Sequence, residues 1–202
     1  MSPTPARTEP DEALVLALQR GDPAAAEMLV DAYSGRVYRL ALRLTGSRSD
    51  AEEAAQDTLW TVFRKIDTFK GDSTFGTWLY RIGANTAYQK VRSRQAPTRE
   101  IALEDVRPAL HADGRHWAPM DDWSKRVDEE TIRKELRAVL EEAIAALPVD
   151  YRTAVVLHDI EEMSDLDIAG VLGVSLAAVK SRVHRSRLYL RQRLASWMAN
   201  GS

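Results

Sequence analysis

Apolar residues recur along this chain at intervals of three and four and almost nowhere at two. That spacing predicts amphipathic helices rather than strands. A first short helix is expected from Asp11 to Ala17. Asp22-Pro23 predicts the opening of a second, with Asp as N-cap and Pro at the first helical position. Met28, Leu29, Ala32 and Tyr33 share its inner face, Val37, Leu40, Ala41 and Leu44 continue it, and Gly46 stops it. Ser49-Asp50-Ala51-Glu52 matches a capping box. The helix it opens should turn Ala51, Ala54, Ala55, Leu59, Val62, Phe63 and Ile66 inward. Lys70-Gly71-Asp72-Ser73 breaks it, and a helix from about Thr74 to Val91 follows, with Phe75, Trp78, Leu79 and Ile82 on one side.

From about Arg92 to Asp128 the periodicity disappears, and Pro97, Pro108, Gly114 and Pro119 interrupt any helical run. A structureless loop of that length is unusual inside one compact domain, so the pattern predicts two domains joined by a flexible linker. Helices resume at about Glu129 and run to Leu147, where Pro148 ends the first. Val149 to Ile160 forms the next, a short one opens at Ser164 and a long one at Ser175. The fold class expected is all-α, with two small helical domains. Residues 11–94 and 129–198 form them, with a disordered N-terminus expected at 1–10 and the linker at 95–128. Trp117 and Trp123 lie in the linker, either packed on a neighbouring domain or docked on a partner.

The stretch from Ser164 to Ser175 reads as helix, tight turn and N-cap. Ala169 is small where two helices must cross, Gly173 suits a left-handed turn position, and Ser175 caps a helix whose inner face is Leu176, Val179, Val183 and Leu190. This is a helix-turn-helix pattern. From Leu176 to Ala195 there are six Lys and Arg residues and no Asp or Glu. Lys180, His184, Arg187 and Arg191 form one stripe, with Ser181 and Arg185 beside it. A basic stripe with short polar neighbours suits the major groove, where Arg reads guanine edges and other cations grip phosphates. The segment Asp128–Asp167 is acidic, should stay off DNA, and suits a basic protein partner.

The rest of the composition narrows the function. Of 202 residues, 45% are hydrophobic and 29% charged, with net charge −2, which suits a globular chain. There are no cysteines, so disulfides, thiolate metal sites and a cysteine nucleophile are excluded. His111 and His116 offer too few ligands for a metal. No phosphate-binding glycine loop, paired-histidine zinc motif or nucleophile elbow is present, so neither an enzyme nor a cofactor is expected. Without a signal-like start or a membrane-length apolar run, the expected location is the cytoplasm, with no membrane insertion.

Helix-turn-helix segments occur in many regulators, so the first half has to decide. The stretches AEEAAQDTLWTVFRKIDTF (residues 51–69) and F.GDS.F.TWLYRI..NTA (residues 69–87) resemble region two of the extracytoplasmic-function RNA polymerase sigma factors. LP.DYRTAVVLHDIEEMSDLDIAGVLGVSLAAVKSRVHRSR (residues 147–187) resembles their region four. The resemblance spans residues 11–94 and 133–195. It implies a subunit that binds core RNA polymerase, through the clamp helices of the largest subunit and through the flap, and that recognises the −10 and −35 elements of promoter DNA. For the clamp helices it implies Gln56, Asp57 and Trp60, although Trp60 also suits a core position beside Leu59 and Phe63.

For the −10 element it implies capture of a base from the opened strand, with Phe69 as a pocket wall and Asn85 supplying hydrogen bonds. Lys65, Lys70, Arg81, Lys90, Arg92 and Arg94 would hold phosphates. Trp78 falls on the apolar face, and Tyr80 is the better stacking candidate. The scarcity of aromatics here, against primary sigma factors, implies weak melting and a stringent promoter preference. For the −35 element the matching residues are Lys180, Ser181, His184 and Arg185, with Arg187 and Arg191 on phosphates. His184 departs from the aromatic frequent at that position, which leaves the base preference open. The chain has no evident means of silencing itself, so a separate anti-sigma factor is expected. The alternative is a one-component helix-turn-helix regulator, which would bind an operator tightly without polymerase.

Overall fold

The computed structural model describes residues 9–94 and 130–200. Every regular element among these residues is helical, as the three- and four-residue spacing predicts. They form two units, one built from residues 9–94 and the other from residues 130–200, residues 170–173 aside. Trp117, Trp123, His111 and His116 lie outside the described residues.

The first unit holds α1 (Glu9–Gln19), α2 (Ala25–Thr45), α3 (Arg48–Lys65), a 3-10 turn (Ile66–Thr68) and α4 (Phe75–Arg94). Leu14 and Leu18 of α1, Leu29, Tyr33 and Val37 of α2, Val62 of α3, and Phe75 and Leu79 of α4 meet in one buried cluster. Each such side chain contributes roughly 1.5–3 kcal/mol by leaving water. Small residues let the helices approach. A Cβ added at Gly83 of α4 would stand 3.4 Å from Thr58 of α3 and 3.5 Å from Leu40 of α2. Thr58 is fully buried, and its hydroxyl donates to the Ala54 carbonyl at 2.6 Å, which satisfies it.

The ends of these helices differ from expectation in instructive ways. Asp22-Pro23 forms the turn before α2 rather than its first residues. The Asp22 carboxylate accepts from the Ala24 amide at 2.9 Å, and the helix starts at Ala25. Ser47, not Ser49, caps α3: its backbone is extended and its hydroxyl oxygen accepts from the Asp50 amide at 3.3 Å. The Ser47 amide donates instead to the Thr45 hydroxyl oxygen at 3.3 Å, so the expected box at Ser49 is replaced by a simple serine cap. Gly46 closes α2 at φ 69° and donates to the Leu42 carbonyl, a conformation that favours glycine.

The second unit holds α5 (Glu130–Ala146), α6 (Val149–Val155), α7 (Asp165–Leu172) and α8 (Leu176–Asn200). The segment expected as one helix to Ile160 instead widens into a π turn at Val156–Ile160, where the Glu161 amide donates to the Val156 carbonyl. Leu147, Tyr151 and Val155 pack against Leu188, Tyr189 and Leu190 of α8. Arg152, 6% exposed, donates to the Ala145 carbonyl at 3.1 Å and so terminates α5, where carbonyls lack helical partners. Its burial lowers the guanidinium's proton affinity.

Leu79→Ala should destabilise the protein by about 2–5 kcal/mol, because it leaves a cavity in a closed core. Trp60→Ala, at an exposed position, should cost less than about 1 kcal/mol. Urea unfolding followed by far-ultraviolet circular dichroism separates the two.

Candidate nucleic-acid interface

The turn between α7 and α8 is built from local hydrogen bonds. The Ser164 oxygen accepts from the Asp167 amide at 3.2 Å while its hydroxyl donates to the Asp167 carboxylate at 2.8 Å. Gly173 takes φ 66°, and Val174 donates back to the Ala169 carbonyl. Ser175 then caps α8 by accepting from the Ala178 amide at 3.2 Å. Ile168, Leu172, Val179 and Val183 are buried on the inner side. Leu176, expected there, is 46% exposed at the start of the helix.

The charges of α8 divide into two sets. One set of arginines holds the helix to its own unit. Arg182 pairs with Asp150 of α6 at 3.0 Å. Arg185 donates to the Tyr151 hydroxyl at 3.3 Å, and the Ser186 hydroxyl lies 3.1 Å from the Tyr151 carbonyl. Arg187 grips Asp159 of the π turn with two bonds, Nε to Oδ2 at 2.9 Å and Nη2 to Oδ1 at 2.5 Å. Asp159 is also 2.6 Å from His158 Nδ1. Hydrogen bonds from Arg187 hold its carboxyl below the usual carboxylate range, outweighing the opposite effect of burial.

The outward set is Lys180, Ser181, His184 and Arg191. All four are exposed, and none is held by a side-chain bond to another described residue. The expected stripe is therefore split, because Arg187 is turned onto Asp159 and Arg185 towards Tyr151. Asp150 and Asp159 belong to the acidic segment expected to meet a protein partner, and they face α8 instead. Sequence reading missed these carboxylates because each lies some thirty positions from its arginine.

In the first unit, Gln56, Asp57 and Trp60 lie exposed on one side of α3. Trp60 is 62% exposed and stacks on Phe63 with ring centroids 6.3 Å apart. Phe63, expected inward, lies 38% exposed beside it. Phe69 is 8% exposed, its ring edge-on to Phe75 at 5.7 Å and tilted on Trp78 at 5.4 Å. It also borders a cavity of about 170 Å³ between α1 and the loop from Phe69 to Thr74. Asn85 does not line that cavity. It stands exposed ten positions beyond Phe75, about 15 Å along α4. Tyr80 and Arg81 are half-buried. Lys90 pairs with Glu53 of α3, and the Arg92 guanidinium lies 5.8 Å from the centre of the Tyr88 ring.

The Sigma-70 region 2 family matches residues 29–96 and the Sigma-70 region 4 family residues 137–190. An ECF RNA polymerase sigma-E factor of Haemophilus influenzae is 33% identical over 190 residues, covering 93% of this chain and 97% of that protein. The chain belongs to the ECF RNA polymerase sigma factors. The RNA polymerase sigma-H factor of Pseudomonas aeruginosa is 35% identical over 89% of this chain and 91% of its own length. The fold of RpoE from Bartonella quintana, solved in complex with the anti-sigma factor NepR, matches at TM-score 0.55 and 24% identity, covering 85% of this chain and 98% of that one. A sigma factor binds core polymerase and promoter DNA and sets where transcription begins. The two matched regions fall in the two units described above, region 2 with α2–α4 and region 4 with α5–α8.

The Asp159–Arg187 pair carries a pH signature. Its carboxyl is depressed in the folded state, so the pair stabilises this sigma factor above the ordinary value of about 3.9. That contribution is lost as pH falls through the lower folded value. Asp159→Asn should therefore be less stable by about 0.5–1 kcal/mol at pH 7 for a partly exposed pair. The gap to the wild type should close only below about pH 4. Unfolding free energies measured across pH in both proteins check this.

Proposed function

We propose that this sigma factor divides promoter recognition between its two units. Residues 11–94 dock on the clamp helices and read the −10 element, residues 129–198 contact the flap and read the −35 element, and 95–128 link them. The observation that carries this reading is the exposed row Lys180, Ser181, His184 and Arg191 on a helix capped by Ser175 after a left-handed Gly173. Such a helix presents donors to base edges and cations to phosphates without disturbing its own packing. Lys180, Ser181 and His184 face the base pairs, and Arg185 joins them by leaving the Tyr151 hydroxyl. Arg191 grips the backbone.

On α3, the stacked Trp60 and Phe63 beside Gln56 and Asp57 form an apolar centre with a polar rim. That composition suits a protein interface rather than a nucleic acid. On α4, Asn85 offers an amide to an unstacked base. Tyr80 stacks, Arg81, Lys90 and Arg92 guide the strand, and Phe69 steadies the loop before the helix. The site of action is the cytoplasm, no chemistry is catalysed, and a separate anti-sigma factor silences the protein by covering one or both units.

Run-off transcription with purified core polymerase on a genomic promoter library tests the assignment. The protein should direct initiation at a narrow promoter set at which core alone is silent. Trp60→Ala should weaken holoenzyme formation by about 2 kcal/mol, as an exposed aromatic anchor does. Asn85→Ala should remove discrimination at one −10 base, at a cost of about 1–3 kcal/mol. Unchanged −10 preference in that variant would place the base reader elsewhere. Arg185→Ala should weaken promoters according to their upstream element. Arg191→Ala should weaken all of them alike and flatten the salt dependence.

A further inference from the structure

We propose that Asp159 is an internal counter-charge that masks Arg187 from DNA phosphate and thereby limits the affinity of the second unit for DNA. This rests on the reading of the outer side of α8 as the DNA surface. Arg187 lies on the stripe of that surface, seven positions after Lys180 and four before Arg191, which places the three on one side of the helix. Sequence alone therefore counts it as a phosphate grip. In the structure both of its carboxylate-facing nitrogens are occupied by Asp159, although half of the side chain is exposed.

A guanidinium presents the same two-pronged donor geometry to a carboxylate as to a phosphate. A phosphate arriving from solution must displace a partner tethered in the same unit, which holds a large advantage in effective concentration. An arginine already neutralised in this way releases no DNA counterion and adds nothing to the salt-dependent part of binding. The carboxylate itself, left beside the backbone, repels it. The pair is attached to the π turn, and His158 Nδ1, 2.6 Å from the same Asp159 oxygen that Arg187 Nη2 contacts, braces the carboxylate from within the turn. The carboxylate thus stays in place when the guanidinium is pulled. The consequence is restraint: the unit engages DNA weakly by itself and depends on polymerase and on the −10 contacts for productive binding.

The test measures binding of the full chain to a duplex carrying the upstream element, and to a random-sequence duplex, across a salt series by fluorescence anisotropy. Asp159→Asn should tighten binding by about three- to tenfold on both duplexes. Its slope of log affinity against log salt should steepen by about 0.9, the value of one added phosphate contact. The gain should vanish in the double variant Asp159→Asn/Arg187→Ala. The double variant, which keeps the net charge, should match the wild type within about twofold, whereas Arg191→Ala should lose several-fold. Unchanged or weaker binding in Asp159→Asn overturns the proposal, as does a gain that survives in the double variant. If Asp159→Asn folds poorly, the double variant Asp159→Ala/Arg187→Ala, which keeps the net charge, still decides: a several-fold loss with a flatter salt slope means that Arg187 reaches phosphate in the native protein. Arg191 separates the two readings. If Arg191→Ala changes neither affinity nor slope, the outer side of α8 is not the DNA surface. If Arg191→Ala acts as expected and Asp159→Asn does nothing, only the masking is wrong.

Discussion

An arginine on a helix can neutralise a charge of its own domain or an external anion, and it cannot do both at once. The second unit of this sigma factor is governed by that constraint. Its apolar core includes Leu147, Tyr151 and Val155 packed against α8, together with the buried Ile168, Leu172, Val179 and Val183. The long helix is anchored in addition by side chains of the kind that its DNA-binding role also calls for. Arg182 and Arg187 reach back to Asp150 and Asp159. The side facing away from α6 is left to Lys180, Ser181, His184 and Arg191. Burying a lone arginine would be costly, whereas a paired one at the helix edge tolerates partial exposure.

The first unit solves its packing differently. Aromatic rings do there what ion pairs do in the second. Tyr33, Phe69, Phe75 and Trp78 contact one another edge-on or tilted, at centroid separations between 5.4 and 5.9 Å. These geometries are favoured by ring quadrupoles. The Tyr33 hydroxyl, pushed above its ordinary range by burial and by the Asp11 carboxylate, donates to Asp11 at 2.7 Å and fastens α1 to the bundle. The loop leading into α4 therefore starts from a rigid aromatic base. This is why Phe69, which family likeness marks as a pocket wall, presents little free surface.

Much of the architecture was legible in the residues. Helical spacing, the Gly46 and Gly173 turns, and the Ser164 and Ser175 caps depend on local chemistry, which one sequence contains. The failures share a cause. Ser47 and Ser49 are both good caps, and only the path of the preceding turn chooses between them. Phe63 has the right spacing for the core, yet it lies at the edge of the apolar stripe, where a neighbouring Trp60 captures it. For Arg185 and Arg187, one-sided charge marked the helix as basic but not which cations were free. That depends on Asp159 and Tyr151, brought near only by folding. The site was thus readable as a surface, while the share of each side chain in it was not.

The π turn at Val156–Ile160 has a consequence for how this family of chains can vary. A π turn amounts to one residue inserted into a helix. Deleting one residue from this stretch would restore ordinary winding at small cost to the backbone. Side chains within the turn would change direction, while the helix before it kept its face. Asp159 would then leave its place opposite Arg187 while α8 kept its sequence and its capped start. A single-codon change in length, remote from every base-reading position, would thereby re-set the charge that this domain shows to its promoter.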